Sequence, residues 1–314
     1  MLTSFLKKYG LVAILVCMFM AFALSFNSFF TTTNVTNIFV QASVYILMGI
    51  GLTVVMMAGE IDLSFSASIP FTNTILVLSL NRGLGLWSVG LVVLIHICFG
   101  LLNALLVVKL RLSSFITTLA TMFFVSGLNY ALFGGKSYWL RNLRIKEILD
   151  SSPLFIPNSV IFALAVSCLM IFFSLKTTHG IRLRASGENP DAARASGVQV
   201  TAYRCSAFVV AGILYALASV LQTSRLSGAL GPAAGGEILL PVMAIAFLGQ
   251  TTYMAGRANV VGALIAGIFM ATMNNALILS GIVFYAVPII QGLVLVVAIV
   301  AASIGDRSLK QIKF

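Results

Sequence analysis

Long apolar stretches separated by short polar breaks follow one another along the whole chain. Each stretch has about 20 mostly apolar residues, the length of a helix that crosses the hydrocarbon core of a bilayer. The pattern predicts an all-α, polytopic membrane protein with about ten transmembrane helices. The predicted spans are residues 10–27, 41–58, 66–81, 84–107, 115–133, 158–174, 204–223, 238–254, 260–280 and 284–304.

The third and the first of these spans differ from the others. The third is short and contains Pro70, and because proline removes a helix hydrogen bond, a kinked or partly re-entrant element is expected there. The first follows Lys7 and Lys8 and contains the signal-peptidase-like sequence Ala21-Phe22-Ala23. Since apolar segments continue along the chain, an uncleaved first span is the better interpretation.

Two polar segments, residues 134–157 and 175–203, are longer than the other connections. If the N-terminus lies inside, thirteen of the 19 Lys and Arg residues fall on the inner side. Basic residues concentrate on the cytoplasmic side of membrane proteins. The bias therefore predicts a multi-pass protein of the bacterial cytoplasmic (inner) membrane with both termini and segment 175–203 in the cytoplasm, and segment 134–157 outside.

Composition agrees with lipid as the solvent and excludes several classes of function. Hydrophobic residues make up 60% of the chain and charged residues 9%, against about 25% charged in soluble domains. The net charge of +11 is scattered, so no nucleic-acid partner is expected. Neither the four cysteines nor the two histidines have metal-site or catalytic spacing, and no P-loop is present. We expect a single transmembrane domain over residues 1–314 that is not an enzyme and holds no cofactor.

Segment 186–198 contains the start and stop signals of a short helix. Asn189 can cap the free amides, and Pro190 suits the first helical position. Asp191 places negative charge at the positive end of the helix dipole, and Gly197 can adopt the left-handed conformation that ends a helix. A helix this short is marginal alone, so we expect a partner to hold it.

This segment resembles the EAA-type motif of importer permeases of the ATP-binding-cassette (ABC) class. The match is Asp191-Ala192-Ala193, three residues, then Gly197, with Asp in place of the usual Glu. The longer run SGENPDAARASGV is similar to the form found in ribose-type (monosaccharide, branched-chain-like) sugar permeases.

Two further stretches carry the same resemblance, which covers nearly all of the chain in order. Residues 59–64 resemble the GGIDLSVG segment of that subfamily, and residues 239–264 with the following Asn274-Asn275 resemble its C-terminal half. This sequence departs from the family pattern where glycine is usual, and the departures are Glu60, Ser66, Gln250 and Ala258.

The resemblance implies the ABC importer permease fold and a membrane-spanning subunit of an ATP-driven monosaccharide importer. It implies four partners: a separate ABC ATPase subunit, an external sugar-binding protein, a second permease copy (identical or paralogous) and the lipid membrane. The residues that the resemblance assigns to coupling with the ATPase are Glu188, Asn189, Pro190, Asp191, Ala192, Ala193, Arg194 and Gly197.

Polar residues within or beside the apolar spans are candidates for a gate or a sugar pathway, because amides and hydroxyls can exchange hydrogen bonds with a polyol. Two other interpretations remain open. Asp62 or Ser64 caps the third helix, with Glu60 at the water interface, or the intramembrane amides join helices to one another. The candidates are Glu60, Asp62, Ser64, His96, Asn103, Asn274 and Asn275.

The external segment is a candidate contact for the binding protein, since Lys136, Arg141 and Arg144 gather beside Tyr138 and Trp139. The alternative is a lid over the mouth of the pathway. For the whole chain, the alternative function is an ion-driven secondary transporter of a small polar solute. Such transporters usually need an ionisable residue within the bilayer, and the acidic residues here fall in loops or at the edges of predicted spans.

Overall fold

Helices form most of the described chain, which in this computed structural model comprises residues 2–141, 143–152, 156–283 and 285–305. Within these ranges the backbone forms no strand, only a single β-bridge between Trp139 and Gly228. The helices are α1 Leu2–Ser25, α2 Thr32–Met57, α3 Phe65–Asn81, α4 Trp87–Ala104, α5 Ser114–Phe133, α6 Arg144–Asp150, α7 Asn158–Lys176, α8 Thr178–Glu188, α9 Pro190–Ala195, α10 Val200–Leu226, α11 Ala234–Gly249, α12 Val260–Leu279 and α13 Ala286–Gly305.

Every predicted span coincides with one long helix, so the all-α, polytopic membrane fold is confirmed. By length and composition, six described segments can cross a membrane, among them α4 together with the π-helical turn Leu105–Lys109 that continues it. Three further apolar helices are shorter. The exact number of ten crossings remains a prediction. The six segments are Thr32–Met57, Trp87–Lys109, Ser114–Phe133, Asn158–Lys176, Val200–Leu226 and Val260–Leu279.

The structure corrects two of the predicted boundaries. α2 begins at Thr32 rather than at residue 41, because Thr31 caps it and accepts a hydrogen bond from the amide of Asn34 at 3.3 Å. α11 ends at Gly249 rather than at residue 254. Residues 250–259 form turns instead, ending at Asn259, whose Oδ1 accepts from the amide of Gly262 at 2.7 Å and caps α12.

α3 continues through Pro70 as one helix and is buried on most sides. It lies among α4, α5, α10 and α11, and α2 packs against α10, α11 and α12 beside it. These two helices form the centre of the described bundle. By contrast, α4, α5, α7 and α13 expose large apolar side chains, as expected of surfaces that face lipid. Examples are Leu94, Phe123, Leu169 and Leu293.

Segment 175–203, which the sequence predicts to be a loop around one short helix, contains two helices. α9 was predicted, whereas α8 was not. α8 begins after Thr177, whose Oγ1 accepts from the amide of Gly180 at 3.1 Å. Its polar sequence has no apolar stripe of the kind that identifies a helix from periodicity.

Candidate coupling site and buried polar network

The linker between α2 and α3 is ordered by the carboxylate of Asp62, which is buried. Its Oδ1 accepts hydrogen bonds from the amide of Ser64 at 2.9 Å and from Ser64 Oγ at 2.6 Å. Ser64 occupies the N-cap position of α3 but makes no side-chain cap bond. Of the two capping residues proposed from the sequence, Asp62 is therefore the one that stabilises the entry into α3.

The same linker is hydrogen-bonded to α4 and α5. Asn103 Nδ2 donates to Ser64 Oγ at 2.9 Å, and Thr121 Oγ1 donates to Asn103 Oδ1 at 2.8 Å. The amide of Leu63 donates to Thr118 Oγ1 at 3.0 Å. Three of the predicted site residues, Asp62, Ser64 and Asn103, thus form one connected network with the first turns of α5.

A second polar group lies further along α3. Thr72 Oγ1 is 2.9 Å from His96 Nε2 and 3.1 Å from Ser219 Oγ, so it joins α4 and α10. His96 and Asn103, seven positions apart, lie on one face of α4, and both are buried in the bundle.

The two residues that follow Thr72 extend these contacts. Asn73 hydrogen-bonds to Thr223 and to the amide of Leu230, and Thr74 Oγ1 donates to Asn129 Oδ1 at 3.2 Å. None of these residues was among the candidates from the sequence. The sequence feature that could have identified them is the run Thr72-Asn73-Thr74 inside an apolar span, because polar side chains in a membrane helix need hydrogen-bond partners.

Asn274 and Asn275 lie apart from this network. Asn275 exchanges two amide hydrogen bonds with Asn34, at 3.1 and 2.9 Å, and Gln291 Nε2 is 3.4 Å from Asn274 Oδ1. These contacts join α12 to α2 and α13, in agreement with the interpretation of intramembrane amides as contacts between helices. A role for either residue in the pathway remains a prediction.

Glu60 does not simply face water, because its Oε1 accepts from Arg204 Nη1 of α10 at 3.0 Å. Burial raises the pKa of the Glu60 carboxyl above its ordinary value, while a hydrogen bond with Ser114 and the Arg204 charge lower it. The pairing guanidinium favours the charged carboxylate at this half-buried position. The ion pair therefore fixes the linker against the N-terminal part of α10.

Arg204 also reaches α8, since its Nη2 donates to the carbonyl oxygen of Ser186 at 3.3 Å. The next residue, Gly187, lies directly on the end of α2. A Cβ atom at Gly187 would be 2.2 Å from the carbonyl oxygen of Met57 and 2.7 Å from the amide of Gly59. Only glycine allows this approach, so the end of α8 is held rigidly against the linker.

α9 has the start and stop that the sequence predicted. Asn189 Oδ1 accepts from the amide of Ala192 at 3.0 Å, Pro190 is at the first helical position, and Gly197 has φ of 78°.

The side chains of α9 and of the residue before it form two ion pairs. Asp191 pairs with Arg194 at 2.6 Å. Of the two alanines of the motif, Ala193 is buried and Ala192 is exposed. The preceding Glu188 pairs with Arg257 of the turns before α12, at 3.4 Å.

At the other end of α3, the predicted docking segment is tied to the helical bundle. Asn81 Nδ2 donates to the carbonyl oxygen of Trp139, and the amide of Arg141 donates to Asn81 Oδ1, both at 2.8 Å. The bridge from Trp139 to Gly228 joins the segment to the end of α10. Lys136 and Arg141 are exposed beside these contacts, and Arg144 begins α6.

The described residues thus form a helical membrane bundle with a buried polar helix and an exposed, capped helix at one end. The model of the family described as "Branched-chain amino acid transport system / permease component" matches residues 34–302. The chain therefore belongs to this permease family, and the resemblance noted in the sequence is confirmed.

Curated relatives agree with this assignment. The chain is 30% identical over 297 residues to the D-allose transport system permease protein of Escherichia coli K12, covering 93% of this chain and 90% of the relative. It is 31% identical over 294 residues to an autoinducer 2 import system permease protein of Photorhabdus luminescens, covering 93% and 88%.

A third relative, the ribose import permease protein of Haemophilus influenzae Rd, is 31% identical over 294 residues, covering 90% of this chain and 88% of that protein. All three relatives are named as permease proteins. No solved structure matches the chain significantly.

We expect the Glu60–Arg204 ion pair to be stronger than the Asp191–Arg194 ion pair, although its N–O distance is longer. The Glu60–Arg204 pair is 3.0 Å long with side chains 13% and 23% exposed, whereas Asp191–Arg194 is 2.6 Å long with side chains 89% and 58% exposed. We expect a double-mutant cycle with Glu60→Gln and Arg204→Gln to give a coupling free energy of about 1 kcal/mol or more.

The matched cycle with Asp191→Asn and Arg194→Gln should give a value close to zero, because water screens the exposed pair. Both cycles are measured by denaturant unfolding of the purified protein in micelles. Equal coupling in the two cycles would show that Glu60 and Arg204 do not fix the linker.

Proposed function

We propose that this chain is the membrane-spanning subunit of an ATP-driven importer of a monosaccharide, and that α8 and α9 couple it to a separate ATPase. Membership of the permease family supports the class of function, and two of the three relatives above carry a sugar in their names. The proposed coupling role is supported mainly by α9, which is exposed and capped at both ends. α9 is connected through α8 to the linker that positions α3.

The proposed coupling follows a continuous set of contacts. The ATPase holds α9, whose exposed face includes Asp191 and Ala192. Movement of α9 carries α8, which is packed on the end of α2 through Gly187. Arg204 contacts both α8 and Glu60, so the same movement reaches the linker and the start of α3. ATP binding in the partner then switches the pathway between an inward-open and an outward-open state, by a rigid movement of packed elements.

The proposed pathway uses the polar side chains at the start of α3. Asp62, Ser64 and Asn103 are already linked by hydrogen bonds, and a small change in α3 would free hydroxyl and amide groups for a passing polyol. A second permease copy completes the pathway, and a sugar-binding protein delivers the substrate from outside. The family resemblance supports these two partners.

The coupling role is tested at the residue that ends α9. Gly197→Val places a branched side chain in the left-handed conformation, at a local cost of about 1–2 kcal/mol. This cost is too small to unfold the bundle but large enough to misplace α9. In proteoliposomes that contain the ATPase, we expect the variant to assemble normally and to lose most substrate-stimulated ATP hydrolysis.

Gly281→Val is the matched control. Gly281 also has a positive φ, 68°, but it follows α12 rather than α9. A Cβ atom added at either glycine would have no neighbour within 4 Å, so both variants meet backbone strain without a steric clash. The control should keep substrate-stimulated hydrolysis. If Gly197→Val kept the wild-type rate of substrate-stimulated ATP hydrolysis, the proposed coupling role of α9 would be wrong.

The orientation of the chain is tested by accessibility at Glu188. With the four native cysteines replaced by serine, Glu188→Cys should resist a membrane-impermeant thiol reagent in intact cells and react in inverted vesicles. Lys136→Cys on the opposite side should show the reverse pattern. The thirteen-to-six distribution of basic residues motivates this expectation. Labelling of Glu188→Cys in intact cells would overturn the orientation.

The external segment is proposed as a contact for the binding protein because exposed basic and aromatic residues lie together there. Reversing Arg141 and Arg144 to glutamate should weaken binding-protein docking, and more strongly at low salt, where charge attraction is less screened. Lys176→Glu, at the end of α7 on the opposite side, serves as the control. Unchanged docking at low salt would leave the segment only as a lid.

A further inference from the structure

A polar groove of about 610 Å³ opens beside α9, between the π-helical turn after α4 and the first turn of α10. Three arginines line it, Arg111, Arg194 and Arg204, together with one acidic residue, Glu60. The groove is therefore positively charged, and its volume exceeds that of a phosphate group with the glycerol attached to it.

The three arginines are not equivalent. Arg204 is paired with Glu60 and Arg194 with Asp191. Arg111 makes no ion pair or side-chain hydrogen bond with the part of the chain that the structure describes. Its φ of 58° places it in the left-handed region, immediately after the π-helical turn and Leu110. Both features are uncommon, and both occur frequently at functional sites.

Outside the groove, exposed apolar side chains flank Arg111. Leu110 and Leu112 on either side of it are 60% and 50% exposed, and Phe115 and Ile116 in the first turn of α5 are 49% and 67% exposed. This apolar surface continues along α5 to Phe123, which is 66% exposed. A basic side chain between exposed leucines, at the end of a lipid-facing helix, matches the boundary between acyl chains and headgroups.

We infer that this groove binds the phosphate headgroup of an anionic phospholipid, with Arg111 as the main contact and the acyl chains against Leu112 and α5. A soluble anion would use the charge but not the adjoining apolar surface. An acidic segment of the ATPase would leave these exposed apolar side chains uncovered at the membrane boundary. The inference does not depend on the transported solute, so it stands or fails separately from the proposed function.

The experiment is lipid binding to the delipidated full chain in neutral detergent, measured by native mass spectrometry. Phosphatidylglycerol and phosphatidylcholine with the same acyl chains are compared. We expect wild type to retain phosphatidylglycerol preferentially, and Arg111→Gln to lose about fivefold of that preference, as one basic contact with an anionic surface contributes. Lys176→Gln, which removes a basic side chain outside the groove, should behave as wild type.

Two further measurements distinguish the lipid from a soluble anion and from the ATPase as the occupant of the groove. Glycerol phosphate without acyl chains should not compete with phosphatidylglycerol, and equal binding of the two would show a soluble-anion site instead. Affinity for the purified ATPase is measured in the same detergent. Arg111→Gln with an unchanged lipid preference but weakened ATPase binding would overturn the inference and assign the groove to that interface. Equal retention of the two lipids by wild type would also overturn it.

Discussion

The polar side chains of α3 depend on partners supplied by other helices, and this requirement organises the centre of the molecule. A hydroxyl or amide without a partner is costly in a protein surrounded by lipid, because no bulk water is available to replace the bond. α4, α5 and α10 each provide such partners, through His96, Asn129 and Ser219 respectively. The position of α3 is therefore specified by hydrogen bonds that apolar packing alone would not fix.

The linker in front of α3 connects this polar centre to the exposed end of the bundle. Its carboxylates have different tasks, since Asp62 orders the entry into α3 and Glu60 pairs with Arg204. Arg204 then contacts α8, which reaches the linker through the close approach of Gly187. A displacement of α8 and α9 cannot leave the linker unchanged without breaking these contacts. The same residues thus serve stability and, in the proposed function, the transmission of movement.

Local signals predicted part of this arrangement from the sequence. The caps of α9 were predictable because Asn189, Pro190 and Gly197 act through bonds within a few residues, and the long helices were predictable from apolar length. α8 lacks such signals. The pairing of Glu60 with Arg204 spans 144 positions, and neither that pair nor the contacts of Thr72 could be derived from spacing. They arise only when distant helices pack, which periodicity along one segment does not encode.

In the proposed function, ATP hydrolysis in a partner, rather than an ion gradient, drives transport through this chain. The most direct measurement is sugar uptake into proteoliposomes that contain the permease, its ATPase and the binding protein, with ATP on the ATPase side. We predict uptake that persists when ionophores collapse the proton and sodium gradients, and that stops when vanadate blocks the ATPase. Uptake without ATP that is abolished by ionophores would contradict this claim and identify an ion-driven secondary transporter.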